Sequence, residues 1–95
     1  DVTVSGNMIS AGENGIRVVG FSADNTFTVT GNTINTQNMV AFDGSEPWGI
    51  LFKGSDSGAR PVINVSGNKK VGVTEHWFEL TGVTPAASSN YANPF

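Results

Sequence analysis

The sequence predicts an all-β chain wound as a solenoid of about three coils, followed by an irregular C-terminal tail. Three observations carry this expectation. A unit reading apolar-x-apolar-Ser/Thr-Gly-Asn recurs as Val2-Thr3-Val4-Ser5-Gly6-Asn7, Phe27-Thr28-Val29-Thr30-Gly31-Asn32 and Ile63-Asn64-Val65-Ser66-Gly67-Asn68. Each unit is followed by a second short run ending in Gly: Gly15-Ile16-Arg17-Val18-Val19-Gly20, Gly49-Ile50-Leu51-Phe52-Lys53-Gly54 and Trp77-Phe78-Glu79-Leu80-Thr81-Gly82. The units start 25 and then 36 residues apart, spacings at which self-similarity means stacked structural repeats.

Composition agrees with short strands and tight turns. Of the 95 residues, 12 are Gly and only 14% are charged; Gly, with abundant Asn, supplies the positive φ angles that turns need. A chain this small buries only about two thirds of its unfolded surface, so the core must be thin. The net charge of −3, with five basic residues, offers no electrostatic footprint for nucleic acid or an anionic membrane, and neither is an expected partner. No apolar run approaches the roughly 20 residues that span a bilayer. The absence of cysteine excludes disulfides and thiolate metal sites and leaves the compartment open.

Side-chain alternation in a strand points Val2, Val4, Phe27, Val29, Ile63 and Val65 to one side. Aligning the second runs on their terminal Gly gives two further inward columns, Ile16, Ile50, Phe78 and Val18, Phe52, Leu80. Parallel stacking at about 4.8 Å sets Asn7, Asn32 and Asn68 above one another, where each side-chain amide can donate to the next in an asparagine ladder. A third short segment follows, Met8-Ile9 and Thr33-Ile34. Its counterpart Lys69-Lys70-Val71 breaks the apolar pattern, and a one-residue bulge that turns Val71 inward is expected there. Lys53, Lys69 and Lys70 read as solvated charges. Asp24-Asn25 and Asp56-Ser57-Gly58 read as turn formers. The solenoid is expected over residues 1–82 and an extended strap or cap over 83–95, with Tyr91 and Phe95 as its large side chains. Because a strand begins at residue 2 with nothing over the first coil, coverage by preceding sequence or by another subunit is also expected.

The pattern Gly-Ile-x-Val-x-Gly, a turn, then apolar-x-Val-x-Gly-Asn-x-Ile resembles the right-handed parallel β-helix repeat of the pectate-lyase-like superfamily, over residues 2–82. That superfamily includes polysaccharide lyases, glycoside hydrolases, epimerases, adhesins and bacteriophage tailspikes or appendages. None of the motifs Asn-x-Asp, Asp-Asp, Gly-His-Gly, Arg-x-Lys or Asp-Pro-His-Glu that mark its catalytic branches is present, and the outward column Arg17, Leu51, Glu79 lacks the acidic calcium ligands of pectate lyases. The resemblance therefore implies the fold and transfers no catalytic residue, metal or cofactor.

The insertion between Thr36 and Trp48 is the leading binding candidate. Aromatic faces suit sugar rings and carboxylates accept sugar hydroxyls, which nominates Phe42, Asp43, Glu46 and Trp48, with Trp77 nearby in the repeat. The alternative is that Phe42 and Trp48 anchor the loop. Asp43 and Glu46 on a Gly-Ser loop are poor candidates for a rigid acid/base pair, and Glu75-His76-Trp77 with Glu79 holds the lone His beside carboxylates. Outward Val19, Leu51, Met39 and Val40 favour side-by-side association, and the analogy with tailspikes makes a homotrimer the expected assembly. The function expected from all this is a structural and carbohydrate-binding module of a phage tailspike, appendage or similar surface fibre. It would recognise host-cell surface polysaccharide, on a virion or extracellularly. The alternatives are a fragment of a polysaccharide lyase or glycoside hydrolase, or a segment of a bacterial adhesin.

Overall fold

The computed structural model describes residues 1–10, 14–36, 48–55, 58–72 and 76–95. Among these residues nine strands follow in chain order: β1 (Val2–Ser5), β2 (Met8–Ser10), β3 (Ile16–Val19), β4 (Thr26–Thr30), β5 (Thr33–Asn35), β6 (Ile50–Lys53), β7 (Val62–Ser66), β8 (Lys69–Val71) and β9 (Phe78–Thr81). They form three sheets of three strands, β1-β4-β7, β2-β5-β8 and β3-β6-β9, with every pairing parallel. The chain thus visits the three sheets in the same order three times. Among the described residues the molecule is all-β without a helix, an arrangement that fits a parallel β-helix-like fold.

The register follows the repeated sequence unit. Val2 pairs with Phe27 and Phe27 with Ile63; Val4 pairs with Val29 and Val29 with Val65. In the third sheet Ile16, Ile50 and Phe78 share one column, and Val18, Phe52 and Leu80 another. These columns supply most of the core, in which Phe52, Ile34, Ile50, Ile63 and Val65 are wholly buried. Phe21, from the turn after β3, joins them. Its ring lies 5.2 Å from Phe27 and 6.1 Å from Phe52, and Phe52 in turn lies 6.2 Å from Phe78.

The turn after the first strand of each circuit explains why Gly precedes Asn. Gly6, Gly31 and Gly67 have φ of 66°, 67° and 64°, a left-handed conformation that costs side-chain-bearing residues energy. The chain then turns so that each Asn points along the stack. Asn7 Nδ2 donates to Asn32 Oδ1 at 3.1 Å, and Asn32 Nδ2 donates to Asn68 Oδ1 at 3.0 Å. The same oxygens accept the backbone N–H of Asn7 (3.0 Å) and Asn32 (2.9 Å). The remaining side-chain N–H of Asn32 reaches the Val4 carbonyl at 2.9 Å, and that of Asn68 the Val29 carbonyl at 3.1 Å. Asn32 and Asn68 are consequently buried with their amides satisfied, the condition under which a buried polar group is tolerated.

The bulge expected at β8 does not form. Lys69, Lys70 and Val71 pair in unbroken register with Thr33, Ile34 and Asn35. Lys70 therefore takes the last place in the Ile9–Ile34 column. It can do so because the stack ends there: its ammonium lies 5.4 Å from the Phe95 ring centroid and 5.8 Å from that of Trp77, held over aromatic faces while its stem covers apolar surface. Lys70 is exposed, but it is not simply a solvated charge.

Residues 86–95 run along the free side of β7. Ala86 N donates to the Pro61 carbonyl (2.7 Å), Asn90 N to that of Ile63 (3.0 Å), and Val65 N to that of Asn90 (2.8 Å). Tyr91 stacks on Phe78 with centroids 6.1 Å apart, and Phe95 meets Trp77 edge-on at 5.4 Å. The tail closes this end of the core.

Candidate functional site

Strand ends and turns of all three circuits meet beside the third sheet to form a groove of about 460 Å³. β3 and the turn after it contribute Arg17, Val19 and Phe21; β6 and its turn contribute Lys53 and Ser55; the chain leaving β9 contributes Val83 and Thr84. Its floor is glycine. A Cβ on Gly54 would stand 2.6 Å from the Gly82 carbonyl oxygen, and Gly82 itself has φ of 63°, so neither position accepts a side chain without displacing backbone. The terminal Gly of each run keeps the floor bare.

The groove is cationic in a chain of net charge −3. Arg17 and Lys53 both line it, no Asp or Glu among the described residues does, and both side chains are exposed. Val19 pairs with Lys53, and Arg17 stands two residues earlier on β3. Strand spacing and rise then place the Arg17 and Lys53 Cα atoms about 8 Å apart. Phe21 adds an aromatic surface fixed from below by Phe27 and Phe52, and Ser55 and Thr84 add hydroxyls. Two cations, a held ring and hydroxyls over bare backbone can bind an extended, acidic, hydroxyl-rich ligand. Among the described residues the lining includes no carboxylate and no histidine.

Of the residues nominated by sequence, Trp48 and Trp77 are described, and neither lines the groove. Phe42, Asp43 and Glu46, and likewise Met39, Val40, Glu75 and Asp56, lie outside the described residues. Trp48 is half-buried immediately before β6, at the opposite end of the third sheet from the groove. Its backbone N–H donates to Asn14 Oδ1 at 3.0 Å and its ring lies 4.8 Å from that of His76 in the next circuit. Trp77 packs against the core, with Phe95 and the Lys70 ammonium on it. The two rings thus have different neighbours, His76 for Trp48 and Phe95 for Trp77. Val19 and Leu51 do not share a column either: Leu51 sits between Arg17 and Glu79, and Val19 beside Lys53.

Sequence reading passed over Arg17, Phe21 and Lys53 as a group, although a signal for them exists. The three aligned terminal glycines mark a strip without side chains, and cations stand three residues before Gly20 and one before Gly54. Among the described residues, no group of three or more His, Asp or Glu is positioned to hold a metal ion. No protein-family model matches the sequence, and neither a curated protein nor a solved structure matches the chain.

Proposed function

We propose that this chain is a right-handed parallel β-helical module of the pectate-lyase-like kind, serving a surface fibre such as a phage tailspike or appendage. In this reading it is non-catalytic and binds host-surface polysaccharide through the groove beside the third sheet. The observation that carries the reading is the placement of Arg17 and Lys53 over a glycine floor, with Phe21 between circuits, which fits a saccharide bearing carboxylate or other acidic groups. Parallel stacking supports the fibre role, because circuits added along one axis make a rod whose side presents a continuous binding surface.

Titration with acidic glycans tests the proposal. Arg17→Gln with Lys53→Gln should weaken binding of an acidic polysaccharide such as alginate or hyaluronan by roughly 10- to 100-fold, since each charge-assisted hydrogen bond contributes about 1.5–3 kcal/mol where desolvated and less at an exposed site. The same double variant should keep its thermal midpoint, and binding by the unaltered protein should weaken as salt is raised. Trp48→Ala should leave the affinity unchanged. Loss of binding in Trp48→Ala with no loss in the double variant would move the site to Trp48 and away from the groove.

Assembly is proposed to be a homotrimer. Support comes from Met8, 89% exposed on the second sheet and away from the groove. Multi-angle light scattering at micromolar concentration should return three times the 9.9 kDa chain mass. A stable monomer would remove trimerisation from the account.

A further inference from the structure

Asn14–Gly15 is the one Asn-Gly pair in the sequence, and it stands at the entry to β3, where the fold uses both residues. A Cβ on Gly15 would stand 2.5 Å from the Gly49 carbonyl oxygen and 2.7 Å from Ile34 Cγ2, so the contact between circuits leaves room only for glycine. Asn14 contributes its amide oxygen, which accepts the Trp48 backbone N–H at 3.0 Å. Trp48 answers with its own carbonyl, to which the Gly15 N–H donates at 3.1 Å. Ile16 N continues the ladder by donating to the Gly49 carbonyl at 2.9 Å. Trp48 thus holds both halves of a reactive pair: the side-chain amide of Asn14 and the backbone nitrogen that can attack it.

We infer that Asn14–Gly15 is a self-modification site, at which Asn14 loses ammonia and becomes aspartate or isoaspartate when its hold by Trp48 opens. The Gly15 nitrogen gives its proton to base and attacks Asn14 Cγ. The N–Cγ bond forms, the Cγ–Nδ2 bond breaks, and Nδ2 takes up a proton and leaves as ammonia. Water opens the resulting five-membered imide at Cγ, giving aspartate, or at the main-chain carbonyl of residue 14, giving isoaspartate. Glycine favours the closure because no Cβ obstructs the approaching nitrogen. In the closed fold the first step is blocked: the proton to be lost lies in the hydrogen bond to Trp48, so local opening must come first. The two products differ in consequence. Aspartate keeps an oxygen for the Trp48 N–H and, being charged, accepts it more strongly. Isoaspartate runs the main chain through Cγ and inserts one extra atom ahead of Gly15. That shift breaks the pairing of Gly15 and Ile16 with Trp48 and Gly49, at the root of the strand that carries Arg17. The inference rests on these contacts alone and stands whatever the groove binds.

The test incubates the full chain at mildly alkaline pH, folded in buffer and unfolded in guanidinium chloride. Peptide mapping by mass spectrometry, with fragmentation that separates aspartate from isoaspartate, follows the conversion. The unfolded chain should convert Asn14 ahead of every other asparagine. The folded chain should convert it roughly tenfold or more slowly, in step with amide exchange of Gly15. Trp48→Pro removes the N–H that holds Asn14 and should raise the rate in folded protein, with folding checked by far-ultraviolet dichroism. If that variant does not fold, guanidinium below the unfolding transition of the unaltered protein takes its place, and conversion should rise together with Gly15 exchange. Equal rates in the folded and unfolded chains, or conversion led by another asparagine, would overturn the inference.

Discussion

Asn32→Ala is expected to lower the thermal midpoint by 10 °C or more, whereas Asn93→Ala, at an exposed position in the tail, should shift it by a degree or two. The alanine removes two donors, to Val4 O and Asn68 Oδ1, and one oxygen that accepts twice from Asn7. Some of the groups left behind lie where water does not reach, and each buried group stranded costs about 1–3 kcal/mol. A loss of about 2–4 kcal/mol follows, and at this chain length each kcal/mol moves the midpoint by about 4–8 °C. Differential scanning calorimetry on both variants checks the difference. Equal shifts would mean that the stacked amides do not bear on stability.

Phe52→Ala should be costlier still. Phe52 is wholly buried at the centre of the middle circuit, and its ring meets Phe21 from the turn after β3, Phe27 from β4 and Phe78 from β9. Removing a buried phenyl group costs about 3–5 kcal/mol, and the β strands around the void have little freedom to collapse into it. Against a total stability on the order of 5–15 kcal/mol, a marked loss of folded protein at 37 °C is expected. Phe21→Ala, whose ring is half-buried, should cost less and should also widen the groove. Near-ultraviolet dichroism and urea titration of the pair rank them, and a larger effect at Phe21 would contradict the packing described.

Strand placement was legible because β strands write their burial as alternation, and here the alternation is punctuated. Val2-Thr3-Val4 and its two counterparts end in the same Gly-Asn turn, and the second runs end in the same Gly, so two of the three sheets could be registered from sequence. The β8 segment was misread because local pattern does not reveal where a stack ends. Lys70 looks wrong for an apolar column until Trp77 and Phe95 are seen to receive its ammonium. Phe21 was missed for a related reason: it lies in a turn, where no alternation says which way a side chain points. The groove was the least legible feature. Its lining comes from three circuits, and Arg17 and Lys53, 36 residues apart in the chain, become neighbours only through pairing of β3 with β6.

Chemical-shift mapping of the ¹⁵N-labelled protein with acidic oligosaccharides of alginate and hyaluronan, and neutral dextran oligosaccharide as the comparison, tests the proposed function most directly. Saturable shifts from an acidic glycan clustered at Arg17, Gly20, Lys53, Gly54 and Gly82, diminished by salt and absent with dextran, are the predicted result. Shifts centred instead on Asn14, Trp48 and His76, or no saturable shift with either acidic glycan, would contradict the assignment of saccharide binding to the groove.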